Sequence, residues 1–436
     1  MAVETEEKTP AAELLEILGP VDRFHDPEVI GDFGMPARAT TEAFLEPLAK
    51  GGPASRLGPL EKVHVFWFAG MSCDGCSISV TGAQSPSVES LLMGAHPGLP
   101  RVVIHHPVLQ VESGPNYFYA HALALQGKLD APYVIVLEGS ISDEVAALGS
   151  NGYWSGQGEM PWGPNGELRT VTTDEWIARL APGAAAAVAI GTCATWGGVP
   201  AARGNPTGSM GLMDFLGKAY KSALALPVIN IPGCAPIGDN FTETVAGLLY
   251  YLQGFGPLPE IDELGRPAWL FGETVHRHCV RGAYYEEGSF ASEFGGPECL
   301  VEIGCWGPVV NCNIASRGAI NHLGGCMNTG GACIGCTMPG FPDKFTPFYK
   351  RPPGSMVSTT AARIMGGVMR PLRHYTNDYM NHEARWDVEG EVPSGWAKEH
   401  PEPDPLLEAG HQLYDILRRS GDTSLNPGEA WGKRKD

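Results

Sequence analysis

The sequence predicts an α/β fold, a doubly wound parallel sheet followed by a loop-rich domain dense in cysteine. Three observations predict it. Over residues 61–254, short runs rich in branched and aromatic side chains alternate with segments long enough for helices. That alternation marks buried parallel strands joined by crossovers. Over residues 255–349, strand-like runs become sparse, glycines multiply, and seven of the eleven cysteines gather. The first four cysteines, Cys73, Cys76, Cys193 and Cys234, each come shortly after an apolar run.

Taken in order, residues 1–60 form an N-terminal extension with a short amphipathic helix at Ala11–Leu18 and a loop, KGGPASRLGP. The strands then follow as VHVFWF (63–68), RVVIHH (101–106), YVIVLE (133–138), AAVAIG (186–191) and PVINI (227–231). Helices are expected at VESLLMGA (88–95), DEWIARLA (174–181) and MGLMDFLGKAYKSAL (210–224). Residues 255–349 form the second domain, whose apolar content is too thin to hold it without cross-links or metals. Residues 350–436 form a C-terminal extension with a helix around Thr359–Met369 and an amphipathic helix at 406–420. No internal repeat is visible.

Composition narrows the function. A chain of 436 residues exceeds one ordinary core, and 57 glycines with 37 prolines imply many ordered turns. A formal charge of −19 argues against a nucleic-acid surface, which needs clustered Lys and Arg. The first thirty residues carry no basic, apolar or twin-arginine leader pattern, which predicts a cytoplasmic protein. No run approaches the roughly 20 apolar residues of a membrane span, and the nearest, Met356–Met369, contains Arg363.

The cysteines carry most of the functional information. An odd number in a chain without a leader argues against a disulfide framework. Isolated cysteines are usually small buried hydrophobes, yet seven within 58 residues, beside glycines, fit that description badly. Cys73 and Cys76 follow the first strand, Cys193 the fourth and Cys234 the fifth. In an open parallel sheet these positions converge beyond the carboxyl ends of the strands, where ligands bind. His276, Cys279, Cys299 and Cys305 make a second set, and Cys312, Cys326, Cys333 and Cys336 a third. Structural zinc is the competing reading, since CIGC and HxxC spacings also suit a tetrahedral ion. Scattered remaining ligands favour iron–sulfur, and eleven cysteines with His276 complete three sets of four.

The motifs CDGC, GTC, PGCAP, HxxC, GCWGPVVNC and GACIGCTMPGFPD, in that order, resemble the small subunits of nickel–iron hydrogenases over about residues 61–349. The resemblance implies a flavodoxin-like domain followed by an iron–sulfur cluster domain, together carrying three 4Fe-4S clusters. By motif, Cys73, Cys76, Cys193 and Cys234 would bind the proximal cluster, and His276, Cys279, Cys299 and Cys305 the distal one. Cys312, Cys333 and Cys336 match medial ligands. Many members have proline where Cys326 stands, so a fourth thiolate here predicts a full medial cubane. Asp74 lies inside the proximal motif, and either it or Cys73 completes that set; the oxygen-tolerant actinobacterial-type branch, which the chain most resembles, has an Asp among its proximal ligands.

The implied function is electron relay from hydrogen oxidation, at a nickel–iron centre in a separate large subunit, to an unidentified acceptor. A second heterodimer is a further candidate partner for the extensions. A hydrogen-sensing subunit and a structural zinc protein are the alternatives. Glu138, in VLEGSIS, is expected to cap a helix or to position the cluster loop or the partner, and Trp196 and Trp306 to shield clusters from water. The histidines other than His276, including His278, His105 and His106, are expected as surface or hydrogen-bonded core groups.

Overall fold

The structure, a computed structural model, describes residues 57–148, 152–161 and 168–380. The helices expected at 11–18 and 406–420 lie outside the described residues. The chain forms two compact units. The first runs to Glu273 and regains Asn311–Gly324 and Gly335–Phe345; the second takes Thr274–Val310, Gly325–Ile334 and the chain from Thr346 onward.

The first unit is built on five parallel strands: β1 (Lys62–Ala69), β2 (Arg101–His105), β3 (Tyr133–Glu138), β6 (Ala186–Ile190) and β7 (Ile229–Ile231). A separate antiparallel hairpin joins β4 (Gly156–Pro161) to β5 (Leu168–Thr172). The parallel strands lie in the order β2-β1-β3-β6-β7, with Val65 opposite Val134 and Val136 opposite Val188. Counting the parallel strands alone, this is the flavodoxin-like order, whose direction reverses between β1 and β3.

Both faces of the sheet are buried, which explains why its strands read as unbroken apolar runs. The helices of this unit include α1 (Gly75–Thr81), α2 (Val88–Leu92), α3 (Pro115–Leu125), α4 (Thr173–Leu180), α5 (Gly191–Trp196), α6 (Leu212–Leu216) and α7 (Gly238–Gln253). Phe66, Phe68, Ile135, Leu137 and Ala189 pack on one side with Phe118 of α3 and Trp176 of α4. Val65, Trp67, Val136 and Ile190 pack on the other with Phe241 and Leu248 of α7. Successive residues of one strand enter opposite cores, as the two-residue strand period requires.

Histidines lie inside this unit as well. His64 Nδ1 is 2.9 Å from His105 Nε2, and His64 Nε2 is 2.9 Å from Asp130 Oδ1. Burial pushes His64 and His121 below the ordinary imidazole value and His105 down to about 4. These are core groups, as the sequence suggests.

Two expected helices change length. The one at 210–224 shrinks to α6, because Gly217 turns to a φ of 83° and breaks the run. The one at 359–369 extends to α9 (Ser355–Met380), through Pro371, whereas α8 (Gly282–Glu286) is one short turn. The second unit has no strand among its described residues. Its small apolar cluster gathers Tyr284, Cys299 and Val301, with Tyr285 and Phe290 against it. So little apolar burial leaves a large role for whatever joins its loops.

Candidate metal centres

The sheet's carboxyl edge is held by backbone contacts so close that side chains are excluded. Met71 bridges to Ser140, and a Cβ on Gly70 would lie 2.2 Å from the Ser140 carbonyl oxygen. The loop after β1 is thereby pinned to the loop after β3. Asp74 then takes a left-handed φ of 58° and the chain enters α1.

The first N–H groups of a helix have no intrahelical acceptor and favour an anion. Here the anion comes from β3. Glu138 is 1% exposed and accepts hydrogen bonds from Cys76 N (3.0 Å), Ser77 N (3.1 Å) and Trp67 Nε1 (3.1 Å). It also accepts from Ser77 Oγ, which lies 3.0 Å from His106 Nε2. One carboxylate therefore seats the helix that carries Cys76, capping it and fixing the loop before it. Thr192 does similar work across the sheet. Its N–H donates to Gly233 O (3.0 Å), its Oγ1 accepts from Gly233 N (3.0 Å), and the same hydroxyl donates to Cys336 O. The loops of Cys193 and Cys234 are tied together by this one side chain.

Four sulfurs converge at this edge. Burial pushes the Cys76 thiol far up, and the charges of Glu138, Cys193, Cys73 and Cys234 push it further. Cys193 rises to about 11, from burial first and then from Cys234, Cys73 and Glu138, against a hydrogen bond from the Val199 N–H. Burial and then Cys73 raise Cys234. So many like charges close together are stable as thiolates only around a cation that shares them.

The cradle itself is made of glycine. A Cβ on Gly191 would lie 2.4 Å from Cys76 Sγ, one on Gly198 2.7 Å from Cys193 Sγ, and one on Gly75 3.2 Å from Cys73 Sγ. The donors and the space kept around them fit an iron–sulfur cluster. Cys73 and Asp74 are both exposed at its rim. Asp74's charge acts on His106, whereas that of Cys73 acts on the other thiols.

The second unit carries a recess whose wall includes His276, Cys279, Cys299 and Cys305. Those four are one predicted donor set. Burial lowers His276, leaving a neutral ring edge-on to Tyr285 at 4.6 Å between centroids. Burial raises Cys299 to about 12, with Cys305 and Cys279 adding to it. Backbone N–H groups already point at the sulfurs: Arg281 N lies 3.4 Å from Cys279 Sγ, and Cys333 N 3.3 Å from Cys305 Sγ. Such donors stabilise charge on cluster sulfur. Among the described residues, no three His, Cys, Asp or Glu side chains close around a single-ion position.

Of the third set, Cys312 and Cys336 belong to the first unit and Cys326 and Cys333 to the second. Cys312 N donates to Glu273 O (3.3 Å), while Cys326 is exposed and Cys333 buried. Trp196 Nε1 donates to Thr337 O (3.2 Å), beside Cys336. Trp306 is 8% exposed and donates to Lys350 O (3.0 Å). Thr192, Ser77 and Arg281 carry no motif of their own in the sequence; Thr192 directly precedes Cys193, Ser77 directly follows Cys76 and Arg281 stands two residues after Cys279, which is the only signal of their roles.

The chain is similar to known proteins over both its sheet-bearing and its cysteine-rich parts. Residues 271–349 match the family described as the C-terminal part of the NiFe/NiFeSe hydrogenase small subunit, and residues 73–248 match NADH ubiquinone oxidoreductase, 20 Kd subunit. The chain is 34% identical to the periplasmic [NiFeSe] hydrogenase small subunit of Desulfomicrobium baculatum, over 66% of this chain and 87% of that one. It is 32% identical to the hydrogenase-2 small chain of Escherichia coli K12, over 71% and 80%. Its fold matches the actinobacterial-type NiFe-hydrogenase of Ralstonia eutropha H16 with a TM-score of 0.69 at 46% identity, covering 80% of this chain and 99% of that one. Among the described residues no helix is long and apolar enough to cross a membrane. The seven cysteines beyond residue 255 separate the chain from a subunit that shares only the flavodoxin-like half. It belongs to the family of nickel–iron hydrogenase small subunits, the iron–sulfur, electron-transferring partners of a large subunit that holds the nickel–iron site.

Proposed function

We propose that this chain relays electrons from hydrogen oxidation through three 4Fe-4S clusters to an external acceptor, in an uptake hydrogenase of the oxygen-tolerant actinobacterial type. The observation that carries the reading is the convergence of Cys76, Cys193, Cys234 and Cys73 on a glycine-lined cradle at the sheet edge. The 46% identity to the actinobacterial-type enzyme of Ralstonia eutropha supports the branch.

When bound, the clusters supply one-electron carriers, and the residues of this chain set where and at what potential. Cys76, Cys193 and Cys234 hold the proximal one, with Cys73 or Asp74 as the fourth ligand. Cys312, Cys326, Cys333 and Cys336 hold the medial one, and His276, Cys279, Cys299 and Cys305 the distal one. His276 contributes a neutral imidazole where a thiolate would add charge, which raises the potential at the exit of the relay. Cys326 adds a thiolate, which lowers the medial potential relative to a three-iron form. Trp196 and Trp306 keep water from the cysteines beside them, and a dry shell also sets potential.

The purified complex tests this. Under hydrogen, the visible iron–sulfur absorption should bleach, and added viologen dye should be reduced continuously. Oxidation should exceed hydrogen production in catalytic-current measurements at neutral pH. A bleach followed by only a trickle of dye reduction would favour a hydrogen-sensing role, and no bleach at all would remove the relay.

A further inference from the structure

We propose that Arg281 is a positioning residue of the His276, Cys279, Cys299 and Cys305 site, tying its loops together and holding its reduction potential up. The inference rests on the distal-cluster reading above.

Among the described residues no sheet carries the site, and its ligands stand in or beside short 3₁₀ turns such as Val275–His278 and Leu300–Ile303. Its ligands come from turns, and turns need cross-ties if four donors are to stay in one geometry. Arg281 supplies them from two residues beyond Cys279. Its Nη1 donates to Gly296 O (2.6 Å) and to Glu298 O (2.8 Å), and Glu298 directly precedes Cys299. Its Nε donates to Met327 O (3.3 Å), which directly follows Cys326. Its own N–H lies 3.4 Å from Cys279 Sγ. One side chain thus joins the Cys279 turn, the bend leading into Cys299 and the turn after Cys326. Reaching carbonyls on two different segments needs the planar, multi-donor fork of a guanidinium; a lysine ammonium offers a single point.

Charge adds a second effect. Among the described residues the side chain's hydrogen-bond partners are backbone carbonyls and not carboxylates. It lines the same recess as the four ligands. The backbone N–H of Arg281 against Cys279 Sγ and its place in that wall put a fixed positive charge beside the Cys279 and Cys299 thiolates. A fixed positive charge that favours thiolate also favours the more negative, reduced state of a cluster bound by those thiolates. Arg281 should therefore make the last carrier easier to reduce, as His276 does by a different route.

The experiment uses the intact complex with Arg281→Met and Arg281→Lys, read by iron content, by the rate of iron loss to a chelator and by an EPR-monitored redox titration. His276→Cys identifies the distal signal, because it must lower the potential of one cluster alone. Arg281→Met should shift that same signal about tenfold in its reduction equilibrium, which is about 59 mV for one electron, and leave the other signals in place. Arg281→Lys keeps the charge and should shift it by less than about a third of that, yet lose iron several-fold faster than wild type because the ties are gone. If Arg281→Met fails to retain distal iron, the lysine variant alone carries the test. Unchanged potential and unchanged iron loss in the variants overturn the proposal. If His276→Cys moves no signal, the distal assignment itself falls, whatever Arg281 does.

Discussion

Gly191→Ala empties the sheet-edge site while the sheet itself remains folded. Gly191 opens α5 with a φ of 86°, and a Cβ there would lie 2.4 Å from Cys76 Sγ. Two costs combine. The left-handed backbone costs an alanine about 1–2 kcal/mol, which a domain of this size tolerates. The collision cannot be relieved so cheaply, because Cys76 is fixed from behind by the Glu138 carboxylate on its N–H. The thiol must swing out of the cradle, and a donor moved by even 1 Å leaves its cluster poorly held. Iron should fall by about four per chain, and hydrogen-dependent dye reduction to below about a hundredth of wild type. Gly204→Ala is the control: its φ is 102°, equally strained, but nothing lies within 4 Å of its Cβ. It should keep its iron. Equal iron in the two variants would mean that the cradle around Cys76 is not where the proximal cluster sits.

Glu138→Ala should cost the first unit a large part of its stability margin. The carboxylate serves two backbone N–H groups at the head of α1, the Ser77 hydroxyl and the Trp67 indole. Removing it leaves these donors buried without their acceptor, and breaking a buried charged network of this kind costs about 3–5 kcal/mol. For a domain of this size that lowers Tm by roughly 10 °C or more. Glu138→Gln keeps the volume but presents an amide NH2 towards groups that are themselves donors, so it should recover only a small part of the loss. Thermal unfolding followed by circular dichroism checks both variants. A Tm within about 2 °C of wild type for the alanine variant would show that water takes over the role of the carboxylate.

The sequence made the sheet legible because both of its faces are buried. Residues such as Phe66 and Val65 enter opposite cores, so the strands appear as continuous apolar runs. The thiols after β1, β6 and β7 were legible for a related reason: once strands are parallel, their carboxyl ends share one edge. Less visible were elements whose sequence conflicts with their structure. β4 reads GQGEMP, with two glycines and a proline, and is held by pairing with β5 rather than by strand propensity. The segment at 210–224 has helical periodicity, but Gly217 outweighs it.

Side-chain ties were the other gap. Glu138 showed as a carboxylate at a strand end, but its donors lie 61 to 71 residues away in the chain. Thr192 and Arg281 stand next to cysteine motifs, yet the carbonyls they hold come from loops whose approach no local pattern encodes. Spacing identifies ligands, which must share a centre. It is nearly silent about the groups that keep those ligands still.

The central claim, three 4Fe-4S clusters on this chain, is tested most directly by counting iron and zinc per small subunit. The complex is purified anaerobically, and the metal of the large subunit is assigned through its nickel. About twelve irons and no stoichiometric zinc are expected, with Cys326 serving as a medial ligand. About eleven irons would contradict that role and restore a three-iron medial cluster. Little iron, with zinc in its place, would contradict the electron relay itself.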